Sequence, residues 1–231
     1  LNRGPLGLDR THLISANGTL SLPFGPNRAF LSSAPALVQR IVEDWQLSGI
    51  LNWKSGAPLS LATGGTATTG RSSFNSGSEA PMAVASLPKD TGKAVVTSAP
   101  GVVTYFDGYG QINDPDRASV TTANSTQSAN SELAITDRSG NLVLVNPRPG
   151  QLSNLDKGYL RGPSALGLDM SLAKSIRISE TKSVEFRMDS SNILNHPNWG
   201  TPNVNINSNT FGRITSATGN RSFTGNIRVN F

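Results

Sequence analysis

Enzymatic or metal chemistry needs activated nucleophiles, paired acids and bases, or ligand clusters, and this chain of 231 residues offers few of them. It contains no cysteine, which excludes disulfides, thiolate metal sites and a cysteine nucleophile. Its two histidines, His12 and His196, have no paired spacing of the kind a zinc site uses. His196 precedes Pro197 and is near Trp199, the setting of a loop-packing residue. Asp107, Asp114 and Asp116, with Gly108, Gly110 and Asn113, carry the oxygens that calcium takes. They match no EF-hand spacing, Pro115 interrupts them, and a polar turn is the simpler account. Gly162-Pro-Ser-Ala-Leu-Gly167 is one residue too long for a nucleophile elbow. Gly92-Lys93 lacks the preceding glycine and following hydroxyl residue of a phosphate loop. Asp169, Glu185 and Asp189 supply carboxylates of the type glycosidases pair, but they alternate with apolar residues near Arg177 and Arg187. That is the pattern of an ion-pair ladder. No catalytic residue and no cofactor is expected. For a small ligand the aromatic residues Tyr105, Phe106, Tyr109 and Trp199 are the candidates, since ring faces amid polar groups are a common binding surface.

The elements that must position these residues are strands. Leu166, Leu168, Met170, Leu172, Ile176 and Ile178 share one parity, broken by Lys174, while Asp169, Ser171, Ser175 and Arg177 lie on the other. After the polar joint Ser179–Lys182, Val184, Phe186 and Met188 alternate with Glu185, Arg187 and Asp189. Successive side chains of a strand point to opposite faces, so each arm has an apolar face and an ionic face. The last residues repeat the pattern. Phe223, Ile227, Val229 and Phe231 lie on one parity, with Thr224, Asn226, Arg228 and Asn230 on the other. Such a surface suits a soluble sandwich with one wet face, or an outer-membrane barrel with lipid outside and a polar lumen inside.

Earlier in the chain, residues 11–22 alternate and end at Pro23-Phe-Gly-Pro-Asn27. Residues 34–43 predict a short helix whose apolar face is Leu37, Val38 and Ile41. Trp45, Leu47, Gly49, Leu51 and Trp53 then share a parity, with Ile50 as a misfit, and tryptophans at both strand ends fit the aromatic girdles of a membrane barrel. Residues 60–163 are rich in Thr, Ser, Gly, Asn and Pro. Roughly a hundred residues is too long for an ordinary connection, which predicts a large, partly structured loop or a disordered insert. The resulting division is 1–59, strands with an enlarged periplasmic turn; 60–163, a long extracellular loop; and 164–231, the last strands.

The net charge of +5 comes from scattered Lys and Arg, with no basic run of the sort that binds nucleic acid. Hydrophobic residues make up 36%, and no stretch approaches the ~18 apolar residues of a membrane helix. Barrels lack that signal by construction. The chain starts at Leu1 with no visible signal peptide, and is expected to be a piece of something longer.

Several pieces together resemble the C-terminal end of TonB-dependent receptors, in particular the large acidobacterial type with a carboxypeptidase-regulatory-like N-terminal domain. They are Leu166–Ile178, Val184–Asp189, Asn192-Ile-Leu-Asn-His-Pro-Asn198, Phe211-Gly-Arg-Ile-Thr-Ser216 and the terminal Phe231. Leu20-Ser-Leu-Pro-Phe-Gly25, Trp45–Ile50 and Ser55-Gly-Ala-Pro58 add to the likeness, which covers about half the chain. The resemblance implies a barrel of about 22 strands, closed by an N-terminal plug, that imports scarce nutrients with energy from the inner membrane. It also implies that Phe223, Ile227, Val229 and Phe231 form the signal read by the barrel-assembly machinery. The expected fold class is therefore all-β: antiparallel amphipathic strands from the C-terminal end of a transmembrane barrel, in the bacterial outer membrane. Outer-membrane lipid, the remaining strands and plug, and a small-molecule or oligosaccharide ligand are the expected partners. A soluble β-sandwich binding carbohydrate or protein, and a secreted enzyme with its site in residues 60–163, remain the alternatives.

Overall fold

Five long strands carry the alternation, and their register decides what the alternation is worth. A computed structural model describes residues 4–63, 80–99, 101–116, 132–147, 153–179 and 181–231. The long strands are β1 (Leu13–Ser21), β2 (Trp45–Lys54), β3 (Ala165–Arg177), β4 (Ser183–Ser191) and β5 (Ser222–Asn230). They form one antiparallel sheet in that order. The alternating runs at 11–22, Trp45–Trp53, Leu166–Ile178, Val184–Asp189 and Phe223–Phe231 fall on these strands within a few residues. Between β1 and β2 lies the expected short helix, α1 (Ala36–Val42).

Pairing is in phase from edge to edge. Ile14 faces Trp53 and Trp53 faces Leu166; Leu20, Leu47, Leu172 and Met188 form another row. Phe186 faces Ile227, and Val184 faces Val229. A slip of one residue in any ladder would put that strand's apolar side chains on the wrong face. None occurs here. Leu13 and Ile50 are the large apolar residues left on the polar side.

A second compact unit comprises Leu1–Thr11, Ser55–Ser164 and Trp199–Ala217. Its largest sheet pairs Met82–Ala83, Leu142–Val145, Leu133–Thr136 and Gly110–Asn113 in that order. Three short strands, Arg213–Ile214, Val103–Thr104 and Val95–Val96, make another, and Leu160–Arg161 pairs with Pro58–Leu59. The hairpin turn after Thr136 is set by Asp137, whose carboxylate accepts the N–H groups of Ser139 and Asn141 at 2.9 Å each. The Asn141 side-chain amide, which donates to the same carboxylate at 3.0 Å, and then these backbone bonds hold its carboxyl below the usual carboxylate range, and Gly140 supplies the positive φ the turn needs.

This unit has its own core of Leu59, Leu87, Tyr105, Phe106, Ile135, Leu144, Leu160, Ile206 and Ile214 with their neighbours. The long middle segment is thus a packed body over its described residues rather than a string of turns. Residues 199–217, which follow β4 in the chain, contribute Ile206 and Ile214 to the same core. The cause is composition: short apolar runs scattered over a hundred residues bury one another only when brought together from far apart, so no local period announces them.

Tyr105 reports on this core. Burial pushes its phenol from 10.0 to about 12, and its hydroxyl donates to the Arg161 carbonyl at 2.8 Å. Because the folded value is the higher one, the stabilisation is complete below pH 10 and is lost as pH rises from 10 to about 12. A spectrophotometric titration of tyrosinate should show one of the three tyrosines ionising at about 12, a step absent in Tyr105→Phe. A complete titration near pH 10 in the folded protein would contradict the buried setting.

Candidate functional site

The largest structured surface is the sheet itself, and it has two chemically opposite faces. One face presents Ile14, Leu20, Leu47, Leu51, Trp53, Leu166, Leu168, Met170, Leu172, Phe186, Met188, Phe223, Ile227 and Val229, filled out by Ala16, Gly18, Gly49 and Gly225. Many of these are largely uncovered: Ile227 is 69% exposed and Phe223 57%. A contiguous apolar face of this extent is stable only against another apolar phase. Trp45 and Trp53 bound β2. Eight steps of ~3.3 Å put about 26 Å of strand between them, close to the ~25 Å lipid-facing band of a membrane barrel. Among the described residues no helix is long and apolar enough to cross a membrane.

Lys174 is the one charged side chain on this face, and the structure resolves the anomaly that the sequence showed. Its ammonium donates to the Glu43 carbonyl at 2.6 Å and stands 5.4 Å from the centre of the Trp45 ring. The aliphatic stem runs over apolar surface while the head reaches the rim of the sheet, where polar groups are available.

The other face is a polar lining. Arg187 Nε donates to both oxygens of Asp189, at 2.8 and 3.1 Å. Glu185 faces Arg228 across the β4–β5 ladder, and Arg187 faces Asn226. These residues line a shallow cleft together. Ser15 donates to Asn52 at 2.8 Å, and Thr19 and Ser48 share a hydrogen bond. All three carboxylates lie on this polar face: Asp189 pairs with Arg187 along β4, Glu185 faces Arg228 on β5, and Asp169, opposite Ile50, accepts the Asn192 N–H.

At one end of the sheet the Asn192–Asn198 run forms a clip. Asn192 and Asn195 hold positive φ angles of 46° and 51°, a conformation asparagine tolerates better than most residues. The Asn192 N–H donates to Asp169 on β3 at 2.8 Å. Its side-chain amide donates to the carbonyls of His196 and of Gly219, next to the start of β5. Asn198 accepts the Leu166 N–H at 2.7 Å. One asparagine-rich run thus ties together the ends of three strands.

The aromatic residues singled out from the sequence do converge, in the second unit. Tyr105 and Phe106 are 3% and 5% exposed, and Phe106 stacks on Phe211 at 5.0 Å. Tyr109 and Trp199 are half-buried against the same cluster. Tyr105 and Phe106 are thus core residues, and Tyr109 and Trp199 are the two of the four with surface still open. The three aspartates separate. Asp107 is exposed and pairs with Arg138 at 3.3 Å, Asp116 is exposed, and Asp114 is buried and accepts the N–H groups of Asp116 and Asn146. Among the described residues no three His, Cys, Asp or Glu side chains are grouped to hold a metal ion. His12 stacks on Trp53, and His196 serves the clip through its backbone.

Sequence reasoning missed the amide network of this unit. Asn207 and Asn146 exchange hydrogen bonds at 2.7 and 3.1 Å, and Asn207 also accepts the Leu133 N–H. Gln111 donates to the carbonyls of Ile206 and Ser208. The signal was available: Asn203, Asn205 and Asn207 stand two apart, and each of the first two accepts the N–H two residues on, the Asx turn that such spacing favours.

A family model for an outer membrane beta barrel domain matches residues 1–224. No curated protein and no solved structure matches the chain.

Leu51 and Ile50 give a direct test of the two faces, being adjacent in sequence on opposite sides of the sheet. In protein reconstituted in phospholipid vesicles, Leu51→Arg should lower unfolding free energy by about 2–4 kcal/mol, the cost of a cation near the bilayer centre. Ile50→Arg, beside Asp169 on the polar side, should cost far less. Denaturant titrations giving equal losses would contradict the assignment of the faces.

Proposed function

The chain belongs to the outer membrane beta barrel domain family and its place is the bacterial outer membrane; from that premise we propose that it forms the C-terminal wall of a TonB-dependent receptor for nutrient uptake. The observation that supports the reading most is the open, in-phase sheet. Five strands share one lipid face, and among the described residues neither β1 nor β5 has a strand on its outer edge. Closed membrane barrels start at eight strands, so further strands must complete the wall, and unpaired edges within a membrane are too costly to persist.

In this reading the polar lining from Ser15 to Arg228 faces the lumen, where a plug from elsewhere in the parent chain packs against it. The segment has no catalytic role and does not transport by itself. Phe223, Ile227 and Val229, projecting to the lipid side from β5, and the exposed Phe231 after it, act as the signal for the barrel-assembly machinery. Within the sheet, Lys54 is opposite both Leu13 and Ala165, and Ser191 is opposite Ser222, so these strand ends share one end of the sheet. The short joint after Arg177 is at the other end, together with the connection that holds α1; in outer-membrane barrels the long loops face outward. In this reading a siderophore, oligosaccharide or similar nutrient is the ligand, with Tyr109 and Trp199 as its aromatic contacts.

Mass spectrometry of the intact product from isolated outer membranes tests the reading. The expected product is several times larger than this chain, with a plug upstream, and nutrient uptake by cells that carry it should stop when the inner-membrane gradient is collapsed. A product of about this size in the soluble fraction, or uptake indifferent to the gradient, would contradict it.

A further inference from the structure

The connection between β1 and β2 holds a helix built the wrong way round for water. In α1, Leu37, Val38 and Ile41 fall on one stripe about 100° wide. All three are exposed, at 78%, 40% and 63%. Gln39 lies on the opposite side, half-buried, and donates from its side-chain amide to the Ser32 carbonyl at 2.8 Å. No residue of the helix is buried. A surface helix of a water-soluble domain turns its apolar stripe inward and its polar residues outward; α1 does the reverse.

Two contacts locate the helix. The Trp45 indole N–H donates to the Ile41 carbonyl at 2.9 Å, and the Lys174 ammonium donates to the Glu43 carbonyl at 2.6 Å. Trp45 and Lys174 both project from the apolar face of the sheet. The C-terminal end of α1 is therefore on the lipid side, at the short-joint rim, continuous with the lipid-facing band. Arg40 in its last turn is exposed on the flank of the stripe beside Leu37 and away from Val38, a position from which it can meet phosphate.

We propose that α1 is an interfacial anchor, lying in the headgroup region of the phospholipid leaflet at the short-turn end of the barrel, with Leu37, Val38 and Ile41 in the acyl boundary. An amphipathic helix in this position sinks about 5–10 Å below the headgroup surface. The inverted polarity then needs no other partner, because the exposed stripe is covered by the same lipid that covers β2 and β3. The proposal rests on the barrel reading.

The chain has no cysteine, so single-cysteine variants, made in the full-length protein with any cysteine outside these residues replaced by serine, can be labelled cleanly with an environment-sensitive fluorophore. Leu37→Cys, Ile41→Cys, Gln39→Cys and, on the lipid face of β3, Leu168→Cys are reconstituted in vesicles of phosphatidylethanolamine and phosphatidylglycerol. Their acyl chains are brominated either near the headgroup or near the bilayer centre. Labels at 37 and 41 should lose most of their emission to shallow bromines and less to deep ones. The label at 39 should respond to neither, and the label at 168 most to deep bromines. If 168 is quenched while 37 and 41 respond only to aqueous iodide, α1 lies in water and the proposal fails. If 37 and 41 are shielded from both quenchers, a protein covers the helix instead, and it fails equally. A label at 168 that no bromine reaches would overturn the barrel reading and the anchor with it.

Discussion

The structure depends on one constraint, the common phase of four strand ladders. Each strand alone is only an alternating sequence with a side chain period of two. When Leu13 is opposite Lys54, Ala165 opposite Lys54, Arg177 opposite Ser183 and Ser183 opposite Asn230, every alternating pattern adds to its neighbours. The sum is a surface that no single strand has: apolar throughout on one side, hydrogen-bonded and charged on the other. Backbone bonding along the ladders satisfies the main chain, which is the condition for strands to stand in hydrocarbon. Membrane placement, polar lining and open edges all follow from that phase.

The exceptions to the pattern mark its boundaries. Lys174 occurs where the apolar face reaches its rim, and there its ammonium finds a carbonyl and an aromatic ring. Trp45 and Trp53 stand at the two ends of the same strand. At the opposite end from Lys174, Asn192 adopts a left-handed conformation, its backbone N–H bonding Asp169 on β3 and its side-chain amide the carbonyls of His196 and Gly219. These positions tie strand ends together where lipid gives way to water and loose backbone groups would fray.

The sheet was legible in the sequence because its information is local. A two-residue period over nine to thirteen residues is long enough to be read without knowing the partner strand, and Phe223–Phe231 showed it as plainly as Leu166–Ile178. The helix at Ala36–Val42 was legible for the same reason, from the spacing of Leu37, Val38 and Ile41, although the sequence did not say that this face points outward. The second unit was not legible. Its core draws Leu59, Tyr105, Ile135, Leu160 and Ile206 from well-separated segments, and its sheets are made of strands of two to four residues. Nothing in a run as short as Val95–Val96 distinguishes a strand from a turn. The roles of Tyr105 and Phe106 were blurred in the same way, since an aromatic pair in a polar segment reads alike whether it faces a ligand or a core.

The measurement closest to the central claim is an accessibility scan along β3. Spin labels placed one at a time from Ala165 to Arg177, in the protein reconstituted in phospholipid bilayers, are exposed to oxygen, which concentrates in lipid, and to a nickel chelate, which stays in water. The account predicts alternation with a period of two: oxygen contact at Leu166, Leu168, Met170 and Leu172, chelate contact at Gly167, Asp169 and Ser171. Equal access to the chelate at every position, or a scan with no alternation, would contradict it.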